Sequence, residues 1–187
     1  MLNSLPDDDT SVPSYGLPPL PPKKLGPRDR AFTTPKVVPS RRDKVFIVHG
    51  RDDAVKNEVA RYLEQIGIEA VILHERPNGG RTLITKFEEE STGVSFAVVL
   101  MTPDDRGGLS GDAQKARARQ NVIFELGFFI GRLGAAKVCA LVSGDLEKPS
   151  DFDAVVYVRY GANTAWKTEL VRELRHANVK FDPSRVF

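Results

Sequence analysis

Five short apolar runs, separated by segments with helical spacing, constrain the fold of this chain more than any other feature. In chain order the runs read KVFIV, EAVIL, SFAVVLM, KVCALV and DAVVYV. Strands that are apolar at successive positions are buried on both faces, and such strands form parallel sheets covered by helices. Because parallel crossovers are right-handed, the pattern predicts a doubly wound α/β domain around a five-stranded parallel sheet.

The segments between these runs predict the helices. After the first run, apolar residues recur at helical spacing, with Asp52 or Asp53 as the N-cap and Gly67 just past the helix end. A short helix is predicted over TLITKFEEES and a longer one over QNVIFELGFFIGRLG. The stretch TPDDRGGLSGDAQ, between the third strand and the longer helix, is predicted to be a polar loop.

Residues 1–43 differ in composition from the rest of the chain, because they hold nine of its thirteen prolines. Such a segment buries little apolar surface. We therefore expect a disordered, proline-rich linker over residues 1–43, followed by a folded domain over residues 44–187. The motif PPLPP within the linker also matches the ligands of SH3 domains, which leaves that alternative open.

Charge and hydropathy argue against two classes of partner. Residues 44–187 hold 20 basic and 20 acidic residues, so a clustered basic face for nucleic acid is not indicated. No apolar run approaches the ~20 residues of a membrane span, and no secretory signal is evident. The single cysteine, Cys139, lies in an apolar run and is expected to be a buried thiol. The prediction is a cytoplasmic protein with no nucleic-acid or membrane partner.

The predicted topology indicates where a ligand would bind. In doubly wound sheets, ligands bind outside the carboxyl ends of the strands. The loops at this edge contain His49, Gly50, Arg51 and Asp52 after the first strand, His74 and Glu75 after the second, and Thr102, Asp104 and Asp105 after the third. Gly50 would let a substrate approach the backbone, and the N-terminus of the following helix favours an anion such as phosphate.

Several familiar motifs are absent or incomplete. The stretch RPNGGRT ends like a Walker A loop, but Glu75 stands where the first glycine is needed and Arg81 replaces the lysine. No G-x-G-x-x-G follows a strand and no G-x-S-x-G occurs, so neither hydride transfer nor acyl transfer is indicated. The three histidines and one cysteine lack the spacing of metal ligands, so no metal site is expected.

A single carboxylate, Glu125, interrupts the apolar helix QNVIFELGFFIGRLG. Helical spacing places it on one face with Asn121 and Arg132. Two interpretations stay open at this point. Glu125 could form an ion pair with Arg132 or Arg119. Alternatively, it could stabilise the oxocarbenium-like ribose that forms when a glycosidic bond breaks, or attack it as a nucleophile.

The segments KVFIVHGRDD, ERPNGGRTLITKFEEES, FAVVLMTPDD and ARQNVIFELGFFIGRLG together resemble the bacterial TIR-like family. Its members include effectors of cyclic-nucleotide-triggered antiphage systems, such as TIR-STING and Pycsar TIR proteins. The resemblance runs from about Lys44 to about Tyr160 and implies a flavodoxin-like fold. It also places the family's nucleotide-contacting first loop on residues 49–53 and its mobile second loop on residues 74–82. Many TIR NADases carry tryptophan four residues before the catalytic glutamate, where this chain has Asn121.

The resemblance implies an NAD glycohydrolase that acts as a defence effector. It would release nicotinamide and leave ADP-ribose or a cyclic form, with NAD as substrate and no cofactor. Glu125 is the implied catalytic residue. The substrate-binding residues are predicted to be His49, Gly50, Arg51, Asp52, Thr102, Asp105 and Asn121, with capping an equal alternative for Asp105. Self-association and an upstream sensor or activator are also expected. Two other functions stay open, namely a nucleoside deoxyribosyltransferase-like enzyme and a non-catalytic assembly module.

Overall fold

The computed structural model describes residues 42–73, 83–150 and 152–186. Its strands are β1 (Lys44–Val48), β2 (Glu69–Ile72), β3 (Val94–Met101), β4 (Asp105–Gly107), β5 (Lys115–Arg117), β6 (Val138–Ser143) and β7 (Val156–Tyr160). Its helices are α1 (Asp53–Gln65), α2 (Leu83–Glu90), α3 (Gln120–Leu133) and α4 (Ala165–His176), with 3₁₀ turns at Ala135–Lys137 and Pro183–Arg185. The predicted linker falls outside the described residues except for its last two positions, and so do His74 and Glu75.

Five of these strands form one parallel sheet in the order β2-β1-β3-β6-β7. From β1 the chain steps outward to β2, then crosses back to β3 and continues to β7. The direction of winding therefore reverses between β1 and β3, and this is the point where flavodoxin-like sheets bind their ligands. The predicted doubly wound, five-stranded parallel sheet is confirmed.

The two faces of the sheet bury separate hydrophobic clusters, which explains the continuous apolar runs. In β1, Val45 and Ile47 pack with α1 and α4, whereas Phe46 and Val48 pack with α2 and α3. Successive strand residues point to opposite faces, so a strand covered on both sides must be apolar at every position. Cys139 of β6 is buried in the first of these clusters, as predicted.

Helix α1 begins and ends where the sequence predicts. The side chain of Asp52 caps it by accepting hydrogen bonds from the N–H groups of Ala54 at 3.0 Å and Val55 at 3.1 Å. At the other end Gly67 has a φ of +88°, a conformation that glycine adopts without strain. These local signals place the helix before any tertiary contact is considered.

The prediction of a polar loop over TPDDRGGLSGDAQ is wrong at residues 105–107, because β4 lies there and pairs antiparallel with β5. Tertiary contacts hold this hairpin. Arg117 forms an ion pair with Glu147, whose N–H donates to the carbonyl of Ala116 at 3.0 Å. At Gly107 a side chain would meet the Arg117 guanidinium at 2.5 Å, so only glycine fits there without movement. Polar strands of three residues carry no periodicity that would predict them.

The described helices differ in apolar character, but none combines the length and composition that a membrane span requires.

Candidate functional site

Asp104 joins the loops that follow β1 and β3 at the carboxyl edge of the sheet. Its Oδ2 atom accepts hydrogen bonds from the N–H of Arg51 at 3.1 Å and from the hydroxyl of Thr102 at 2.8 Å. The N–H of Asp104 donates to the carbonyl of Thr102 at 2.8 Å. Gly50, Arg51 and Thr102, three of the predicted site residues, are therefore brought together at the point where the winding reverses.

Gly50 is needed at this edge for a steric reason. A Cβ atom added there would lie 1.7 Å from Oδ2 of Asp104 and 3.1 Å from Oγ1 of Thr102. Any other residue would therefore displace the Asp104 carboxylate. The sequence predicts a close approach at Gly50, and in this structure the approaching group is Asp104.

Three of the first four N–H groups of α1, those of Ala54, Val55 and Lys56, already have an acceptor. Two of them donate to the Asp52 side chain, so these donors are not open to an anion in this structure. The Nδ1 atom of His49 lies 2.9 Å from the carbonyl oxygen of Gly50. Arg51 is exposed and carries the positive charge of this loop. An anion bound here would therefore meet the Arg51 guanidinium rather than the capped N–H groups.

Glu125 lies in the second turn of α3 and is partly buried. Burial raises the pKa of its carboxyl from 4.5 to about 7, and the nearby charge of Arg119 opposes this shift. The ion pairs with Arg119 and Arg132 that the sequence allows are absent from the described residues, where this carboxylate accepts no hydrogen bond. A desolvated acid that forms no ion pair or hydrogen bond with the described residues is a candidate for a functional role.

The raised pKa of Glu125 predicts a pH-dependent effect of Glu125→Gln on stability. The folded protein holds one more proton than the unfolded chain between pH 4.5 and about pH 7. The wild type therefore loses stability at this group as pH rises through that window. We expect Glu125→Gln to raise the free energy of unfolding by about 1–3 kcal/mol above pH 7, and by little below pH 4.5.

Urea unfolding of both proteins across this pH range measures the effect. Glu64→Gln, at an exposed position on α1, controls for the loss of one negative charge. A difference between wild type and Glu125→Gln that stays constant with pH would contradict the raised pKa.

Asp105 lies in a different setting from Gly50 and Thr102. It belongs to β4, is paired in register with Arg117, and lines a cleft of about 690 Å³. Residues 147–150 also line this cleft, and Ile123 of α3 contributes to its lining.

Glu125 lies on a different side of α3 from this cleft. Ile123 and Glu125 are two positions apart, so their side chains leave the helix in directions about 160° apart. Glu125 does not line this cleft, and Asn121 is exposed at the start of α3.

The sequence predicts both Asp104 and Asp105 at this edge, with the substrate contact made by Asp105. The structure shows that Asp104 makes the hydrogen bonds of the turn, while Asp105 begins the hairpin. Neither spacing nor composition distinguishes two adjacent aspartates. Only the pairing of β4 with β5 decides which of them turns towards Gly50.

Within residues 42–73, 83–150 and 152–186, no three side chains of His, Cys, Asp or Glu are grouped so that they could hold a metal ion.

Residues 44–162 match the family model described as CAP12/Pycsar effector protein, TIR domain. The chain belongs to this family. The match covers the whole sheet, α1 to α3 and the hairpin. It confirms the family that the sequence motifs indicate, and the five-stranded sheet has the TIR-like architecture expected of it.

Three proteins are similar to this chain in sequence, over aligned stretches of different length. The protein YuaY of Escherichia coli is 51% identical over 143 residues, which cover 76% of this chain and 48% of YuaY. The protein tirC of Dictyostelium discoideum is 35% identical over 150 residues, 74% of this chain and 73% of tirC. The CD-NTase-associated protein 12 of Niabella drilacis is 35% identical over 65 residues, 35% of this chain and 20% of that protein. The chain thus spans about half the length of YuaY.

Proposed function

We propose that this TIR domain is an NAD glycohydrolase that cleaves the bond between nicotinamide and ribose. The observation that carries the proposal is Glu125, a partly buried carboxylate without a described partner on the helix that packs against β3 and β6. Membership of the effector family supports the same activity, since the resemblance assigns catalysis to this position. NAD is then the substrate, and no cofactor takes part.

Glu125 would act on the positive charge that develops in this reaction. Nicotinamide leaves NAD as a neutral base because its ring nitrogen is cationic in the substrate, so no general acid is needed. The ribose becomes oxocarbenium-like, and a carboxylate beside it stabilises that cation or traps it covalently. Attack by water gives ADP-ribose and one proton, which a carboxyl of pKa about 7 is suited to accept. Attack by a group of the adenosine moiety would give a cyclic form instead.

Substrate binding falls to the carboxyl edge of the sheet. Arg51 would contact the diphosphate, and Asn121, one helical turn before Glu125, would contact the ribose or nicotinamide. His49, Asp52 and Thr102 would support these contacts through the hydrogen bonds of the two loops. Asp105 lies in the neighbouring hairpin, and any substrate contact it makes would come from there.

The domain would work as a defence effector under the control of a partner. The matched family and the CD-NTase-associated relative are named for such systems, so an upstream cyclic-nucleotide sensor is the expected source of activation. We also propose that copies of the domain associate. On α3, next to Glu125, Phe124 is 48% exposed, and an exposed aromatic residue at this position is available to pack against a second copy.

Nicotinamide release from NAD, measured at increasing protein concentration with and without a crowding agent, tests the activity and the association together. We expect the rate to rise more steeply than in proportion to protein, because neighbouring copies would complete the site. A rate strictly proportional to protein concentration would contradict the proposal that neighbouring copies complete the site. It would not contradict the proposed glycohydrolase activity. No release at any concentration would contradict the proposed activity of the isolated chain.

A parallel reaction separates this activity from the nearest enzyme alternative. The protein is supplied with a deoxynucleoside and a different free base in place of NAD. A nucleoside deoxyribosyltransferase would exchange the two bases, whereas an NAD glycohydrolase would leave them unchanged.

A further inference from the structure

Two hydrogen bonds from different parts of the chain converge on a single oxygen of Asp104. Oδ2 accepts from Thr102, two residues earlier, and from the backbone of Arg51, 53 residues earlier. Oδ1 of the same carboxylate has no hydrogen-bond partner among the described residues. Asp104 is therefore the group that ties the otherwise exposed Arg51 backbone to the end of β3.

Among the described residues, the acids that follow Arg51 in the chain or bind its backbone have other partners. Asp52 caps α1, Asp53 forms an ion pair with Lys56, and Asp104 binds the backbone N–H of Arg51 rather than its guanidinium. Within the described part of the chain, the Arg51 guanidinium has no ion pair. The loop therefore carries an available cation whose backbone is held in place.

From this geometry we propose that Asp104 is a positioning residue. It holds the Gly50–Arg51 peptide so that the Arg51 guanidinium faces the diphosphate of a bound dinucleotide. The inference rests on the proposed function for the identity of the ligand. Asp104 itself does not touch the reacting atoms, and its effect on substrate passes through Arg51.

Asp104→Ala should then weaken substrate binding and leave the chemical step largely unchanged. We expect KM for NAD to rise about 10-fold or more and kcat to stay within about twofold. The displaced Arg51 contact would be to the diphosphate, away from the bond that is cleaved, so its loss affects binding rather than the chemical step. Asp104→Asn keeps an oxygen acceptor for both donors, so its KM should rise no more than about threefold. Asp112→Ala, at an exposed position in the hairpin loop, removes the same charge and should change neither constant.

A double-mutant cycle shows whether Asp104 acts through Arg51. If it does, KM of the double variant should be less than about twofold higher than KM of Arg51→Ala alone. The effects of two residues that act through one interaction are not additive. Full additivity of the two changes would overturn the proposal, as would an unchanged KM in Asp104→Ala. A fall in kcat alone would also overturn it, because Asp104 would then act on the chemical step.

Gly50→Ala supplies an independent perturbation if Asp104→Ala does not fold. Its Cβ would displace Oδ2 of Asp104, so the same rise in KM is expected with the carboxylate still present. If the wild type releases no nicotinamide, the proposed activity fails, and calorimetry with ADP-ribose tests the positioning role. Weaker binding to Asp104→Ala and Arg51→Ala, without additivity, would uphold that role. The same affinity for ADP-ribose in Asp104→Ala as in the wild type, or no binding of ADP-ribose by the wild type, would overturn it.

Discussion

Glu125→Gln is expected to lower the rate of nicotinamide release by at least about 1,000-fold while the domain stays folded. Glutamine keeps the shape of the side chain but has no charge, so it cannot stabilise the developing ribose cation or accept a proton. A loss of this size corresponds to about 4 kcal/mol of transition-state stabilisation, within the range for removal of one electrostatic group from an active site. Chromatographic measurement of nicotinamide, with both proteins at a concentration that supports wild-type activity, gives the ratio directly.

Glu64→Gln is the matched control for this change. It makes the same chemical substitution at an exposed position on α1 and should keep the wild-type rate. A Glu125→Gln rate within about tenfold of wild type would show that Glu125 is not the catalytic group, because general acid–base or electrostatic roles contribute more than that. If the variant also kept the full biological effect, the non-catalytic assembly module would become the better interpretation.

Phe129→Ala is expected to reduce the free energy of unfolding by about 3–5 kcal/mol, the usual range for a buried phenylalanine. Phe129 is fully buried, and its ring centroid lies 4.6 Å from that of Phe46 and 5.3 Å from that of Phe128. Removing it leaves a cavity between α3 and the sheet that the surrounding strands cannot fill. Urea or thermal unfolding at a pH where the wild type is stable measures the loss.

Phe124→Ala controls for residue type and for the helix. Phe124 lies on the same helix and is 48% exposed, so we expect a loss below about 1 kcal/mol. Equal losses for the two variants would mean that α3 faces the sheet differently from the structure described. In that case the position of Glu125 would be wrong as well, so this stability measurement also tests the site.

The packing of α3 against the sheet also explains why the pKa of Glu125 is raised. The buried face of α3 holds the helix against the sheet through Val122, Leu126 and Phe129. Glu125 lies beside that face and is partly removed from water, which raises its pKa and destabilises its charged form. A position of this kind is unfavourable for stability and suited to chemistry, a combination common at functional sites.

The sequence by itself determined the main sheet, helices α1, α2 and α3, and the presence of Glu125 on α3. These features follow from local signals, namely runs of apolar residues, helical spacing, and the cap formed by Asp52 with Gly67 at the far end. Such signals act over a few residues and need no knowledge of distant parts of the chain. For the same reason the family could be identified from its motifs.

Only the tertiary structure decided the details of the site. Asp104 rather than Asp105 holds the Arg51 backbone, and the hairpin depends on an ion pair between Arg117 and Glu147. The pKa of Glu125 likewise depends on how deeply α3 is buried. Each of these contacts joins residues that are 30 or more positions apart, or depends on burial. Neither the partner of a side chain nor its exposure to water is encoded in local periodicity, because both are fixed only when the elements pack together.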